Sequence, residues 1–304
     1  MTRTLSILAS TLALAGAATI APARLHLPAP TPAPTVDETA TTYKKLLESV
    51  GSALVTVKFV MKIDGGPMGG DGDSGRDVET TGLVMEQGGL VLISNAKMGG
   101  MASRMGMTVN PTNIRILSGD DTEGLKAKIL ARDPELDLCW ISVDDDKAKD
   151  KKFTFVDFTT SGAAPAPSVG DKLFVVERMG KFFDHALSVD EGRVGGSTKK
   201  PRPLMIPSGF GGNQREMLGA PMFNADAKVV GLNILQIPDK EDMEGGEAGE
   251  GSFGILLLPA AEVVKATGRA KEMAAKAPKE EPKKDDAKPE VSKDEPKKEE
   301  PKKP

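Results

Sequence analysis

The sequence predicts an all-β domain with a short helix at each end. Three observations carry that expectation. Between residues 53 and 258, short apolar or alternating runs recur, each broken by Gly, Pro, Asn or Asp. Strand-length runs bounded by turn residues at this spacing mark a barrel or a sandwich. Helical patterning flanks that region instead of interrupting it, and at 304 residues the chain has length enough for a core that needs no disulfides.

In chain order, Arg3, the apolar run Leu5 to Ile20 and the small-x-small tripeptide Ala21-Pro22-Ala23 predict an export signal over residues 1–23. The run falls about two helical turns short of a comfortable membrane span. Cleavage is therefore expected in preference to retention as an anchor. The mature chain would start near Arg24, periplasmic or secreted, with no stable membrane span. Residues 24–38 form a Pro-rich linker, with PAPTPAPT from Pro28 to Thr35. Residues 38 to 50 suit a short helix with Tyr43, Leu46, Leu47 and Val50 on one face. Strands are expected over Ala53–Met61, Gly82–Met85, Leu90–Ser94, Ile114–Leu117, Leu125–Leu130, Leu136–Val143, Leu173–Glu177, Lys228–Leu235 and Ser252–Leu258. Pro259 suits the first position of a closing helix that runs to about Ala275, with Val263, Val264 and Met273 among its apolar residues. The folded domain is thus expected over residues 39–275. Residues 276–304 repeat Glu-Pro-Lys-Lys among alternating Lys and acidic blocks. So little apolar surface cannot offset ordering entropy, so a disordered tail is expected, either a solvated spacer or a tether to an anionic envelope polymer.

Composition narrows the function classes. A net charge of −4 and 4% aromatic residues give no electrostatic or stacking case for nucleic acid. The one cysteine, Cys139, cannot form an internal disulfide, and its apolar neighbours predict an inert buried thiol. No cofactor is expected. Asp71-x-Asp73-x-Gly75 is a fragment of a calcium loop without the downstream Glu, which favours a plain hairpin loop. The acidic, Gly-rich stretch Glu241 to Glu250 reads as a solvated loop. Met98, Met101, Met105 and Met107 place four thioethers within ten residues. Three readings stay open for them: loop packing, a peptide contact, or a Cu(I) site.

The stretch that carries most information is Glu216-Met217-Leu218-Gly219-Ala220-Pro221, followed by Met222-Phe223-Asn224 and then Val229-Val230-Gly231-Leu232-Asn233. It resembles the passage G-N-S-G-G-P-L-V-N, turn, V-I-G-I-N around the nucleophile of trypsin-like serine proteases of the bacterial HtrA/Deg branch. Upstream, Thr81-Gly82-Leu83-Val84-Met85 and Gly89 to Met98 are similar to that family's G-S-G-V-I and G-Y-I-L-T-N-N-H-V-V. Ala127 to Asp133 and Asp137-Leu138-Cys139-Trp140 are similar to its A-x-V-x-x-x-D and D-L-A-V passages, and Gly251 to Ile255 to its closing G-x-G-F-A-I. The resemblance covers residues 40 to 270 and implies a chymotrypsin/trypsin-like pair of six-stranded β-barrels with short N-terminal and C-terminal helices.

The same resemblance implies a degenerate catalytic triad. The nucleophile position falls on Leu218, the base position on Ala96 and the Asp position on Asp137. The mechanism needs Ser, His and Asp together, and loss of either Ser or His costs about a millionfold in turnover. Glu216 stands where the family carries an oxyanion-loop Gly, and an acidic side chain there opposes a developing oxyanion. Among substitutes, His26 lies in the Pro-rich segment, His185 follows Phe182-Phe183-Asp184, and Ser208 and Ser252 sit in Gly-rich surroundings. The expected function is an exported, non-cleaving protease homologue that binds an extended peptide or an envelope protein. The cleft would be lined by Glu216, Met217 and Gly219 with the degenerate triad. The alternatives are a serine endopeptidase with a displaced nucleophile and a structural component of the cell envelope.

Overall fold

The computed structural model describes residues 36–64, 75–104, 106–119, 121–162, 166–211, 216–238 and 253–276. The expected signal, nearly all of the Pro-rich linker, Asp71 and Asp73, the stretch 241–250 and the tail beyond Lys276 lie outside them. Among the described residues no helix is long and apolar enough to cross a membrane.

Helix α1 (Val36–Val50) comes first, two residues earlier than its pattern suggests. Its Leu46 and Val50 are buried, and the Tyr43 ring meets Phe174 edge-on at 6.1 Å. Strands β1 (Leu54–Asp64), β2 (Arg76–Val84), β3 (Leu90–Ser94), β4 (Thr108–Leu117), β5 (Leu125–Asp133) and β6 (Leu138–Val143) close a barrel in the order β1-β2-β3-β6-β5-β4. Helix α2 (Met101–Arg104) bridges β3 and β4, and helix α3 (Phe158–Gly162) lies between the two halves of the chain. Strands β7 (Lys172–Arg178), β8 (Leu187–Ser197), β9 (Met205–Ser208), β10 (Pro221–Phe223), β11 (Val229–Gln236) and β12 (Gly254–Pro259) close a second. Read from its own first strand, the second barrel repeats the order of the first, β7-β8-β9-β12-β11-β10. Every strand pairing is antiparallel. The double six-stranded barrel expected from the sequence is the fold of this chain.

Period-two alternation assigns the side chains to three cores. Val55, Val57, Phe59, Val91, Ile93, Cys139 and Ile141 fill the first barrel. Leu173, Val175, Val194, Met222 and Leu257 fill the second. The opposite faces of the same strands, with α1 and the final helix α4 (Ala260–Lys276), enclose a third core between the barrels, where Leu138, Trp140, Phe174, Phe223 and Leu232 meet. Strand β6 shows the division within two residues: Cys139 points into the first barrel and Trp140 into the shared core. The Trp140 indole donates to Thr267 Oγ1 at 3.1 Å, and Thr267 donates in turn to the Val263 carbonyl. The Arg178 guanidinium adds a polar pin between the halves, donating to the carbonyls of Leu54 at 3.2 Å and Gly51 at 3.3 Å.

Several local expectations shift. Pro259 is the last residue of β12, paired with Gly231, and the helix starts one residue later. Met273 is 67% exposed, so the buried stripe of α4 is Val263, Ala266 and Ala270. Residues Pro134 to Asp137 form the turn before β6 and are not part of the strand. Strand β8 and the first halves of β2 and β4 carry no continuous apolar pattern, and β9 and β10 are only four and three residues long. Strand β8 contains Gly192, Gly195 and Gly196, and a Cβ on Gly192 would lie 2.5 Å from the Ser208 carbonyl oxygen. Glycine there lets two strands and the Phe210 ring close together, which reads in sequence as a loop.

Candidate functional site

The site lies where the end of β3 meets the turn that precedes β10. After Ser94 the chain makes one wide helical turn over Ala96–Gly100. It closes on Asn95: the Gly100 N–H donates to the Asn95 carbonyl at 2.8 Å, and a Cβ on Gly100 would fall 2.1 Å from the Asn95 side-chain nitrogen. The Arg132 guanidinium holds the Asn95 side-chain oxygen at 2.9 Å and the Met98 carbonyl at 3.2 Å. This leaves Ala96 and Lys97 on the cleft side and sends Met98 into the first barrel, where it is fully buried.

Asp137 ends the turn before β6 with φ +55°, a left-handed conformation that Asp tolerates. It is 3% exposed. Its Oδ1 accepts from the Ala96 N–H at 2.7 Å, and its Oδ2 accepts from Ser94 Oγ at 2.8 Å and from the Leu235 N–H at 2.9 Å. Burial pushes this carboxyl group up from its ordinary range, and the three hydrogen bonds and Arg104 oppose the shift. The carboxylate thus ties the end of β3 to β11 across the two barrels.

The turn Glu216–Gly219 abuts the same place. Gly219 has φ +76°, and a Cβ on it would stand 2.8 Å from the Ser94 nitrogen, so both its conformation and its neighbour require glycine. The Gly219 N–H donates to the Asn233 carbonyl at 2.8 Å, and the Ala220 N–H to the Met217 carbonyl at 2.9 Å. Met217 is 3% exposed and belongs to the core of the second barrel, while Leu218 is 8% exposed. Glu216 is exposed, and its carbonyl accepts from Lys97 Nζ at 2.8 Å.

The structure therefore brings Ala96 and Asp137 together at one small hollow, and sets Gly219, next to the buried Leu218, against Ser94. It adds two residues that the sequence did not single out. Burial pulls the Lys97 ammonium down to about 8, against the opposing pull of Glu177, Glu216 and Asp137. Burial likewise pushes the Glu177 carboxyl up; Lys97 lowers it, and Glu216 and Asp190 raise it. Glu177 Oε1 is buried and accepts no hydrogen bond. Lys97 directly follows Ala96. Glu177, 80 positions later, acts on it electrostatically only through the packing of the barrels, which no local pattern reveals.

Other singled-out residues lie elsewhere or do different work. His185 is half-buried in the β7–β8 turn at φ +52°, its carbonyl accepting from Arg178 at 3.0 Å. Ser208 is exposed at the end of β9, and Ser252 and Met105 lie outside the described residues. Met101 is 37% exposed on α2, and Met107 is half-buried just before β4. Cys139 is fully buried, and burial pushes its thiol up to about 12, which leaves it unreactive.

Residues 80–232, half of the chain, match the family model of the trypsin-like peptidase domain. No curated protein matches the sequence. Among solved structures, the chain is similar to the MamO protease domain from Magnetospirillum magneticum in its apo form, at 16% identity and TM-score 0.44, covering 72% of this chain and 97% of that one. It is similar to the serine endoprotease from Yersinia pestis, at 16% identity and TM-score 0.48, covering 76% and 66%. It is also similar to the HtrA-type protease AlgW with a decapeptide, at 14% identity and TM-score 0.49, covering 76% and 67%.

Proposed function

The chain belongs to the trypsin-like peptidase family, and we propose that it is an exported, non-cleaving member whose inter-barrel cleft binds an extended peptide. One observation carries the reading. Where the mechanism needs a base and a nucleophile, the cleft presents Ala96 and Leu218, and both oxygens of Asp137 are taken by Ser94 and two main-chain N–H groups. An alanine takes no proton, and a leucine forms no acyl intermediate.

Peptide binding by strand addition has a place to occur. Pairing between β10 and β11 ends at Leu232, and the turn supplies two more bonds at Asn233. The Leu235 N–H is held by Asp137, and beyond it β11 keeps β12 on one side, while among the described residues no strand pairs on the other. That open edge runs along a small hollow lined by Ala96, Met101, Arg104, Asp137, Leu235 and Ile237. Main-chain pairing at an open edge needs no triad.

Purified mature protein should leave unfolded casein intact and take no label from an organophosphonate serine probe. Stoichiometric labelling at Ser208, Ser252 or any other residue would establish the displaced-nucleophile enzyme instead. Peptides selected against the chain should lose affinity when alternate backbone nitrogens are methylated and when Ile237→Pro is introduced. Binding that ignores both changes would remove strand addition.

A further inference from the structure

The hollow beside the open edge of β11 spans about 200 Å³, part of it open to solvent. Two side chains that line it hold hydrogen-bond donors in reserve. Asn95 is 5% exposed, and its side-chain oxygen accepts from Arg132 at 2.9 Å. A guanidinium only donates, so this contact fixes which end of the amide is oxygen and leaves the NH2 group as the other. Among the described residues that buried NH2 group meets no acceptor, which is a costly way to leave a donor. Arg104 is exposed at the end of α2 and donates from one nitrogen to the Pro134 carbonyl at 2.7 Å. Among the described residues its guanidinium makes no ion pair. The acceptors of the hollow are in the opposite state. Asp137 is 3% exposed, and both its oxygens already hold donors, from Ser94, Ala96 and Leu235. Ala96 adds only a methyl group, which leaves the space open. Spare donors around a planar cation, with the acceptors taken, suit a carboxylate.

We propose that this hollow is a carboxylate subsite, in which Arg104 and the Asn95 amide hold an acidic side chain or the terminal carboxylate of the peptide that pairs along β11. The inference rests on the peptide-binding reading and adds the class of peptide. Side chains of an added strand alternate between its two faces, so one register position faces the hollow and its immediate neighbours do not. Asp137 lies behind its own three donors, and the incoming carboxylate takes the exposed side, next to Arg104.

The test screens the full mature chain against an arrayed library of decapeptides, each made with a free and an amidated C-terminus, and titrates the tightest binders. Binders should share Asp or Glu at one register position, or else require the free terminus. Changing that acid to its amide, or amidating the terminus, should weaken binding about tenfold or more, the loss of a charge-assisted hydrogen bond. Arg104→Gln should weaken the acidic peptide by a similar factor and leave its amide counterpart unchanged. Asn95→Asp keeps the oxygen that Arg132 holds and removes the NH2 donor, and it should also erase the preference for the acid. Peptides that depend on backbone N–H groups but carry no acid preference would overturn the subsite and leave strand addition standing. An acid preference that survives both variants would overturn it as well. If no decapeptide binds, the peptide-binding reading falls and the subsite with it.

Discussion

The Ser94 hydroxyl and the Ala96 and Leu235 N–H groups hold the Asp137 carboxylate at the junction of β3, β6 and β11. Its two oxygens clamp the main chain of β11 to the start of the turn that follows β3. Restoring Ala96→His and Leu218→Ser together should therefore give little hydrolysis, because Glu216 and Met217 still shape the turn and preorganised donors supply much of the rate. A casein assay at or near the rate of an active protease would sink that claim about the turn. Lys97 gives a second residue-scale expectation. Its ammonium falls from 10.5 in a free side chain to about 8 in the fold, so between those values the unfolded chain binds more protons. Stability contributed through Lys97 then rises with pH across that window, and burying the charge is costliest below it. Relative to Lys97→Met, the wild type should gain stability between pH 8 and pH 10, read as urea midpoints. The closeness of Asp137 to Ala96 and of Gly219 to Ser94 follows from the double-barrel fold that the family-like passages predicted. The approach of Lys97 to the Glu216 carbonyl was not legible, since it depends on which barrel faces come together.

At the scale of elements, the docking of α4 rests on a stripe of small residues and one buried polar contact, Trp140 to Thr267, with ion pairs from Arg269 to Asp133 and from Lys271 to Glu86 at the surface. Thr267→Val keeps the volume but leaves the buried indole N–H without an acceptor. Denaturant unfolding should show a loss of about 1–3 kcal/mol, with a shift in Trp emission. A loss below a few tenths would mean that the indole finds another partner. Strands with clean apolar runs, such as Leu90–Ser94 and Val229–Gln236, could be read from the chain because alternation or continuous burial shows in composition. Strand β8 could not. Its mostly half-buried length carries glycines because the Phe210 ring and the Ser208 backbone lie where side chains would otherwise stand. Helix α4 was legible in place, and Val263 and Val264 pack on the shared core, but Met273 has the right hydropathy and the wrong angle.

For the whole molecule, the shared core between the barrels draws on strands from both and on both terminal helices. Unfolding should accordingly be a single transition in which no barrel outlives the other. Deleting residues 277–304 should move the melting temperature by no more than about 2 °C, since a segment almost free of apolar residues contributes little to a core. A larger drop in a calorimetric scan would show that the tail docks on the barrels. The placement of Cys139 and Trp140 on opposite faces of β6 has a practical corollary. The chain contains one cysteine and one tryptophan, adjacent and facing different cores. A thiol reagent in solution can reach Cys139 only when the first barrel opens, while indole fluorescence reports release of the inter-barrel face. The two clocks can be read on one unlabelled, unmutated molecule. If they keep the same time in denaturant and diverge in water, the barrel breathes without the halves parting, and the cleft can loosen while the domain stays whole.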